Sequence, residues 1–478
     1  MTSIFADFHE ALRTKNGNLL ATCIAPINTA DFPRRVEQFA QLSNEQTISA
    51  DVRNHLLQTS KSVSLPKAEG NCWVDIFVSL WKCVKELTAL EHSHGGDWAK
   101  AYEAYRDVCS NLLRGYTHYG FQAWTVACLY TAGKFLRIIA IQTDQLSKSQ
   151  ADAKQDDFAQ GLAEDIIETS SKHEKLENAA WVINRMFQVC LSDRSELVKS
   201  RKWAIYSTSN LLFKTYFKLG SISLTKNVIR ALAAAEADLP PLELFPKSHR
   251  CTFKYYRGVI DFLSENYSDA EHQLSEALAL CHRDARSNRE QILSYLIPCY
   301  VLSNHKLPTA SLLAPYPTLS AMLTPLIAAI RTGNLLAFDN TLAAAEPELV
   351  RRRIYLTLER TRDLCMRNLF RKVFLHAGWE EAKDADTGVG AGTPNKIRRT
   401  RIRVEEFETA MRVAYRGSED TIIERDEVEC FLANMIYKVG GALLSLSTLS
   451  YLTLTLLSDL YMRERTLTDC TPFLWFVW

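Results

Sequence analysis

The stretch from Phe253 to Cys281, FKYYRGVIDFLSENYSDAEHQLSEALALC, holds two short apolar stripes divided by a polar break. Phe253, Tyr256, Ile260 and Leu263 recur at three- and four-residue steps, and Ala270, Leu274, Ala277, Leu278 and Cys281 do the same beyond the break. Such spacing puts each set on one face of a helix. Between them SENYSD supplies turn-favouring residues, so the segment predicts an antiparallel helical hairpin of about thirty residues. One hairpin cannot dry both of its apolar faces. It has to stack on another, which is the physical logic of a helical repeat.

The rest of the chain supports that reading. Its 478 residues are 47% hydrophobic, enough for a full core, and its formal net charge is +1. A near-neutral balance excludes a polybasic nucleic-acid binder, so any such role has to come from local clusters of Lys and Arg. The twelve cysteines are scattered without a CxxC pair, and the first residues, MTSIFADFHEALRTKNG, carry charges where a signal peptide needs an apolar run. Reduced thiols in cytosol or nucleus follow.

Outward from the opening hairpin the helical pattern repeats. Trp73, Phe77, Leu80, Trp81, Val84 and Leu87 share a side, and further segments such as WAKAYEAYRDVCSNLLRGY, LENAAWVINRMFQVCL and KWAIYSTSNLLFKTYFKLG follow at hairpin spacing. SKSQADAKQDDFAQG is the least apolar and reads as a surface loop or a ragged helix start. Pro298 falls inside a helical pattern and is expected to kink it. VRRRIYLTLERTRDLCMRNLFRKVFLHAG predicts one long basic helix. EEAKDADTGVGAGTPNK then reads as a mobile loop; it lacks the Gly-Lys-Ser/Thr ending of a phosphate cradle. Two short helices follow, around Val404 to Val413 and from Asp426, where Asp426 with Glu429 forms a plausible capping pair. Two short helices after a helical stack suggest a helix-turn-helix or winged-helix module.

Several long runs carry a resemblance. NRMFQVCLSDRSELVKSRKWAIYSTSNLLFKTYFKL (184–219), the opening hairpin, NREQILSYLIPCYVL, GNLLAFDNTLA and DEVECFLANMIYK, together with DFHEALRTKNGNLLA and KAEGNCWVDIFVSLW near the start, resemble the PCI-domain proteins of the Csn-twelve/Thp-one branch, fungal Csn-twelve homologues above all. The resemblance runs from near residue 1 to about Lys438. It implies an all-α chain: a TPR-like helical-repeat superhelix followed by a C-terminal winged-helix (PCI) module. It further implies a non-catalytic scaffold with no cofactor, in nucleus and cytoplasm. The partners it implies are a Sac-three-type PCI subunit, a small acidic Sem/Dss-type polypeptide, and the COP-nine signalosome or a related nuclear mRNA-export complex; RNA or DNA would be held without sequence preference.

The expected division is helical repeats over 1–235, the helical-repeat part of the PCI domain over 236–378, a mobile insert over 379–396, a winged-helix core over 397–438 and a divergent tail over 439–478. Relatives continue after ANMIYK with a glycine and two wing strands. This chain instead has no charge between Lys438 and Asp459, just long enough for a membrane span. Its abundant Ser and Thr favour a divergent or misread C-terminus over an anchor, with a winged helix lacking its wing as the consequence.

The candidate nucleic-acid patch is NKIRRTRIR, with Lys396, Arg398, Arg399, Arg401 and Arg403, joined by Arg367 and Arg371 one helical turn apart. A solvated charge run on a loop edge is the plain alternative. Asp426, Glu427 and Glu429 at the start of the would-be recognition helix repel phosphate, so backbone contact rather than base reading is expected. Lys202, Lys214, Lys218, Lys226 and Arg230 make a second series along which an acidic partner polypeptide could lie. Chemistry is hard to find: His92 and His94 have no further ligands at metal spacing, and Cys281 beside His282 points elsewhere. Trp73, Trp81, Trp124 and Trp203 read as core. A nucleic-acid-binding scaffold, a protein-only signalosome accessory and, weakly, a helical hydrolase stay open.

Overall fold

The structure, a computed structural model, describes residues 4–27, 35–58, 65–91, 96–155, 173–381, 396–398, 401–415, 424–438, 451–453 and 476–477. Packing divides it into two units, Met1–Ile260 and Asp261–Trp478.

The first unit contains α1 (Ile4–Thr14), α2 (Gly17–Cys23), α3 (Arg35–Ala40), α4 (Ile48–Arg53), α5 (Lys67–Glu91), α6 (Trp98–His118), α7 (Ala127–Gln155), α8 (Glu174–Leu191), α9 (Ile205–Leu219) and α10 (Ile222–Ala234); the division falls inside α11 (Lys247–Leu263). Successive helices pack on one another, α5 on α6, α6 on α7, α7 on α8 and α8 on α9. The stripe read from the sequence on α5 is the buried one: Trp73, Phe77, Leu80, Trp81 and Val84 lie in the core. Trp73 stacks on Phe121 at 4.6 Å between ring centroids and meets Phe8 edge-on at 5.3 Å. Trp124 and Trp203 are only partly buried.

Several polar groups in this core are tied down individually. Tyr105 Oη donates to the Ile24 carbonyl at 3.2 Å, and Tyr102 Oη donates to the Lys175 carbonyl at 2.9 Å. α8 starts without a capping side chain of its own. Instead the buried Asp144 of α7 accepts from the main-chain N–H groups of Lys175 (3.1 Å) and Leu176 (3.0 Å), so a residue distant in sequence does the work of an N-cap. α7 itself continues to Gln155, so the first part of the polar stretch expected as a loop or ragged helix start is the end of a long helix; residues 156–172 lie outside the described residues. By length and composition Ala123–Ser147 could cross a membrane, yet half of it is buried among neighbouring helices.

The second unit continues with α12 (Tyr267–Leu280), α13 (Arg286–Asn304), β1 (Leu307–Pro308), α14 (Ala310–Leu313), α15 (Pro317–Thr332), α16 (Leu335–Arg351), α17 (Tyr355–Glu359), α18 (Arg362–His376), β2 (Trp379–Glu381), β3 (Lys396–Arg398), β4 (Arg401–Arg403), α19 (Val404–Ala414), α20 (Arg425–Lys438), β5 (Tyr451–Thr453) and β6 (Phe476–Val477). α12 packs along α13, and α15 packs on both α16 and α18. α13 runs on through Pro298. Between α15 and α16 the chain reverses at Gly333, whose φ is +66°. Its N–H donates to the Ile330 carbonyl and that of Asn334 to the Ala329 carbonyl, while a Cβ at this position would sit 2.7 Å from the Leu369 main-chain nitrogen of α18. Only glycine meets both demands.

One expectation is corrected here. The basic stretch from Val350 to Gly378 is not a single helix: α16 ends at Arg351, the short α17 follows, and α18 begins at Arg362. Arg353 takes φ +60°, and the N–H of Ile354 donates to the Leu349 carbonyl, which closes α16 in a Schellman-type turn. Burial of Ile354 holds the turn in place.

Asp144→Ala is expected to lower unfolding free energy by about 1 kcal/mol, as loss of an N-cap does; a urea midpoint shift measures it. Gly333→Ala is expected to cost more than ~1 kcal/mol because strain and a backbone clash add; the same melt, with loss of α15–α18 amide protection in hydrogen exchange, checks it.

Candidate nucleic-acid interface

Within NKIRRTRIR, residues 396–398 and 401–403 are strands where a loop edge is the plain alternative. Lys396–Arg398 is a strand pairing antiparallel with Trp379–Glu381, and Arg401–Arg403 is a second strand pairing antiparallel with Tyr451–Thr453. The insert expected between them as a loop therefore has paired ends, and residues 382–395 lie outside the described residues. Ile402 is buried, Arg403 is exposed, and Val404 opens α19. A strand that alternates this way anchors itself through its apolar member and presents its charged one.

The strand after α20 returns to pair with the strand before α19, which completes a strand–helix–helix–strand module. The winged helix thus has a strand where none was expected, since Tyr451–Thr453 of the divergent tail supplies it. Apart from that strand and β6, which pairs with β1, the tail lies outside the described residues. The module is locked to the repeat helices beside it. Phe370 of α18 meets Phe407 of α19 edge-on at 5.2 Å. Arg362 Nε donates to Asp339 Oδ1 at 3.1 Å, its Nη2 donates to Tyr415 Oη, and Tyr415 Oη donates to Asp339 Oδ2 at 3.3 Å. That triangle joins α16, α18 and the end of α19.

The other candidates separate. Arg399 lies outside the described residues. Arg367 and Arg371 both sit on α18, partly buried. Arg351 and Arg352, part of the same basic run, share one carboxylate, Glu348, which pairs with them at 2.8 and 2.6 Å and offsets one of their two charges; their hydrogen bonds, Arg351 first, hold the Glu348 carboxyl down at about 2. Asp426 and Glu427 are exposed in the first turn of α20, as the argument against base reading requires. Asp426 and Glu429 are not the capping pair expected of them: Asp426 is already inside the helix, and Glu429 accepts from Arg425 Nε at 3.1 Å.

The second basic series breaks up more sharply. Lys202 is buried and its Nζ donates to the Asp238 carbonyl at 3.1 Å, so it is a structural residue and no docking surface. Lys214 is half-buried. Lys218, Lys226 and Arg230 are exposed and remain available to an acidic partner. A feature the sequence reading missed lies in the second unit. α12, α13 and α14 enclose a groove of about 580 Å³ with Leu278, Leu293, Leu296 and Leu312 in its lining and Arg283 and Arg286 at its edge; no carboxylate lines it. Its only advance signal was the pair of arginines flanking the start of α13.

Chemical groups stay apart. No cluster of His, Cys, Asp and Glu among the described residues is placed to hold a metal ion, and His92 and His94 lie outside them. Cys281 is buried while His282 is exposed, its Nδ1 accepting from the Asp284 N–H at 3.3 Å. Burial pushes the thiols of Cys72, Cys190, Cys299 and Cys365 up to about 12, far from the thiolate that nucleophilic chemistry requires.

No family model matches the chain. Similar proteins are nevertheless found along almost its whole length. It is 45% identical over 444 residues to Protein CSN12 homolog of Gibberella zeae, covering 92% of this chain and 94% of that one. It is 44% identical over 441 residues to Protein CSN12 homolog of Neurospora crassa, with the same coverage of both chains. PCI domain-containing protein 2 of Xenopus laevis is 29% identical over 352 residues, 73% of this chain and 76% of its own. Stacked helices closed by a strand–helix–helix–strand module, and this identity over 92% of the sequence, show that the chain belongs to the CSN12 family of PCI-domain proteins.

Proposed function

We propose that this PCI protein is a non-catalytic scaffold subunit of a nuclear and cytoplasmic complex in transcription-coupled mRNA processing or export. In that role it holds RNA or DNA by its backbone through the strands around Arg398, Arg401 and Arg403. The observation that carries the reading is the conversion of a basic run into two paired strands, the second of them anchored by the buried Ile402. Rigid strands present charge at lower entropic cost than a loop, and phosphate contact needs charge without base-edge donors. The acidic first turn of α20 keeps the recognition helix out of a groove, so affinity arises without sequence preference.

A second reading rests on the same acidic turn and on the names of the relatives: a protein-only accessory of the COP-nine signalosome that touches no nucleic acid, whereas in the first reading the winged helix would meet a PCI subunit of the Sac-three type. In both readings a small acidic polypeptide fits the arginine-edged groove of the second unit, where apolar side chains enter between α12, α13 and α14 and carboxylates meet Arg283 and Arg286.

Replacing Arg398, Arg401 and Arg403 together by Gln is expected to weaken single-stranded RNA binding at least ~10-fold and to flatten its salt dependence by about 0.7 per lost phosphate contact. Fluorescence anisotropy across a salt series measures both; wild-type protein with no RNA affinity at low salt would favour the second reading. For the groove, Arg283→Glu with Arg286→Glu is expected to lower the affinity of a labelled peptide alternating Glu with Leu and Trp by ~10-fold or more, the scale of lost charge-assisted bonds. An unchanged isotherm would remove the groove from the interface.

A further inference from the structure

The first unit holds a cluster of positive charge that the winged-helix reading does not use. α7 carries Lys134 and Arg137 three residues apart, which puts them on one face. α9 brings Lys214 to the same corner, where Arg137 Nη2 donates to the Lys214 carbonyl at 3.4 Å. His249, in the first turn of α11, is held there by Asn210, whose Nδ2 donates to the His249 carbonyl at 2.9 Å. Three helices thus converge on four basic side chains.

Nothing among the described residues balances them. Lys134 Nζ lies over the Phe135 ring at 5.2 Å, and neither it nor Lys214 Nζ forms an ion pair or hydrogen bond within that set. Arg137 Nε and His249 Nδ1 are buried without hydrogen-bond partners, as is Asn210 Oδ1 beside them. Other buried or half-buried cations of the unit do face carboxylates: Arg35 has Asp7 at 3.2 Å and Arg201 has Asp193 at 3.8 Å. The strain shows in the titrating groups. Burial, then Arg137 and Lys134, pushes the Lys214 ammonium below its ordinary value, and burial, then Lys214, does the same to the His249 imidazole. Gathering like charges in a half-buried corner costs free energy that a bound anion would return.

We propose that the corner formed by α7, α9 and α11 is a binding site for a phosphoryl group of a small, multiply phosphorylated ligand, held by Arg137 and Lys214 with Lys134 at the exposed mouth. A phosphoryl group offers three acceptor oxygens and nearly two negative charges, which matches donors arriving from three directions; a carboxylate offers one charge in one plane. Arg137 supplies a guanidinium whose Nη2 already meets the Lys214 carbonyl, and the lysines supply point charges with rotatable donors. The site draws only on residues of the first unit, and the proposal does not depend on what the strands around Arg401 bind.

The test is isothermal titration of the full chain at low salt with two probes in separate arms, sodium tripolyphosphate for a linear polyphosphate and inositol hexakisphosphate for a cyclic polyol phosphate. One-to-one binding of at least one probe is expected, and the tighter arm identifies the source. Arg137→Gln and Lys214→Met are each expected to weaken it about tenfold. Without ligand, Lys214→Met is expected to melt no lower than the wild type, since it removes an unbalanced charge; a purely structural lysine would lower the melting temperature. Lys134→Gln, a change at an exposed position, provides a variant whose folding is not at stake and should weaken binding in the same sense. Absence of saturable binding with both probes, or affinity unchanged in Lys134→Gln and Arg137→Gln alike, would overturn the proposal.

Discussion

Every feature of the chain depends on the burial of helix faces that are apolar on one side only. At roughly 25 cal/mol per Å² of apolar surface removed from water, a face of four or five large side chains outweighs any single polar contact in the molecule. α5 illustrates the demand: Trp73, Phe77, Leu80, Trp81 and Val84 leave water because α3, α4 and α6 pack on the helix and the aromatic rings of Phe8 and Phe121 close on Trp73. Stacking then propagates through α7, α8 and α9, since each helix covers one neighbour and needs another.

Polar groups fix how the stack is registered. Asp144 caps a helix that has no cap of its own. Asp193 gathers the turn before α9, accepting from Ser195, Ser200 and the Arg201 N–H. Although burial acts to raise it, those donors hold its carboxyl below the ordinary aspartate range. In the second unit the triangle of Arg362, Asp339 and Tyr415, with the Phe370–Phe407 contact, does for the winged-helix module what the caps do for the repeat. Such contacts add little driving force. They decide which of several well-buried arrangements is adopted, because a buried polar group left unmatched is costly.

Basic residues show how far context outweighs residue type. Lys202 is a strut, Arg351 and Arg352 share one glutamate, Arg403 stands exposed beside a buried isoleucine, and Lys214 lies among other cations. In the sequence these look alike. Their difference lies in what the fold sets against each of them, so surface charge density along the chain is a poor guide to which side chains meet partners.

The sequence by itself determined the helical stack, because spacing at three and four residues is a local property that survives whatever the helix packs against. It also determined the existence of a terminal two-helix module and the acidic first turn of α20. The strands of that module escaped it: three-residue strands are too short for alternation to register, although Ile397 and Ile402 between charged neighbours in KIR and RIR were the trace of it. The break at Arg353 was hidden likewise, since a positive φ at arginine is imposed by the burial of Ile354 and by no signal of its own. Tertiary structure alone decided that Lys202 faces inward, that Lys134, Arg137, Lys214 and His249 share a corner, and that three helices enclose an arginine-edged groove. These depend on which helices become neighbours, and a one-dimensional pattern constrains faces far more tightly than it constrains partners.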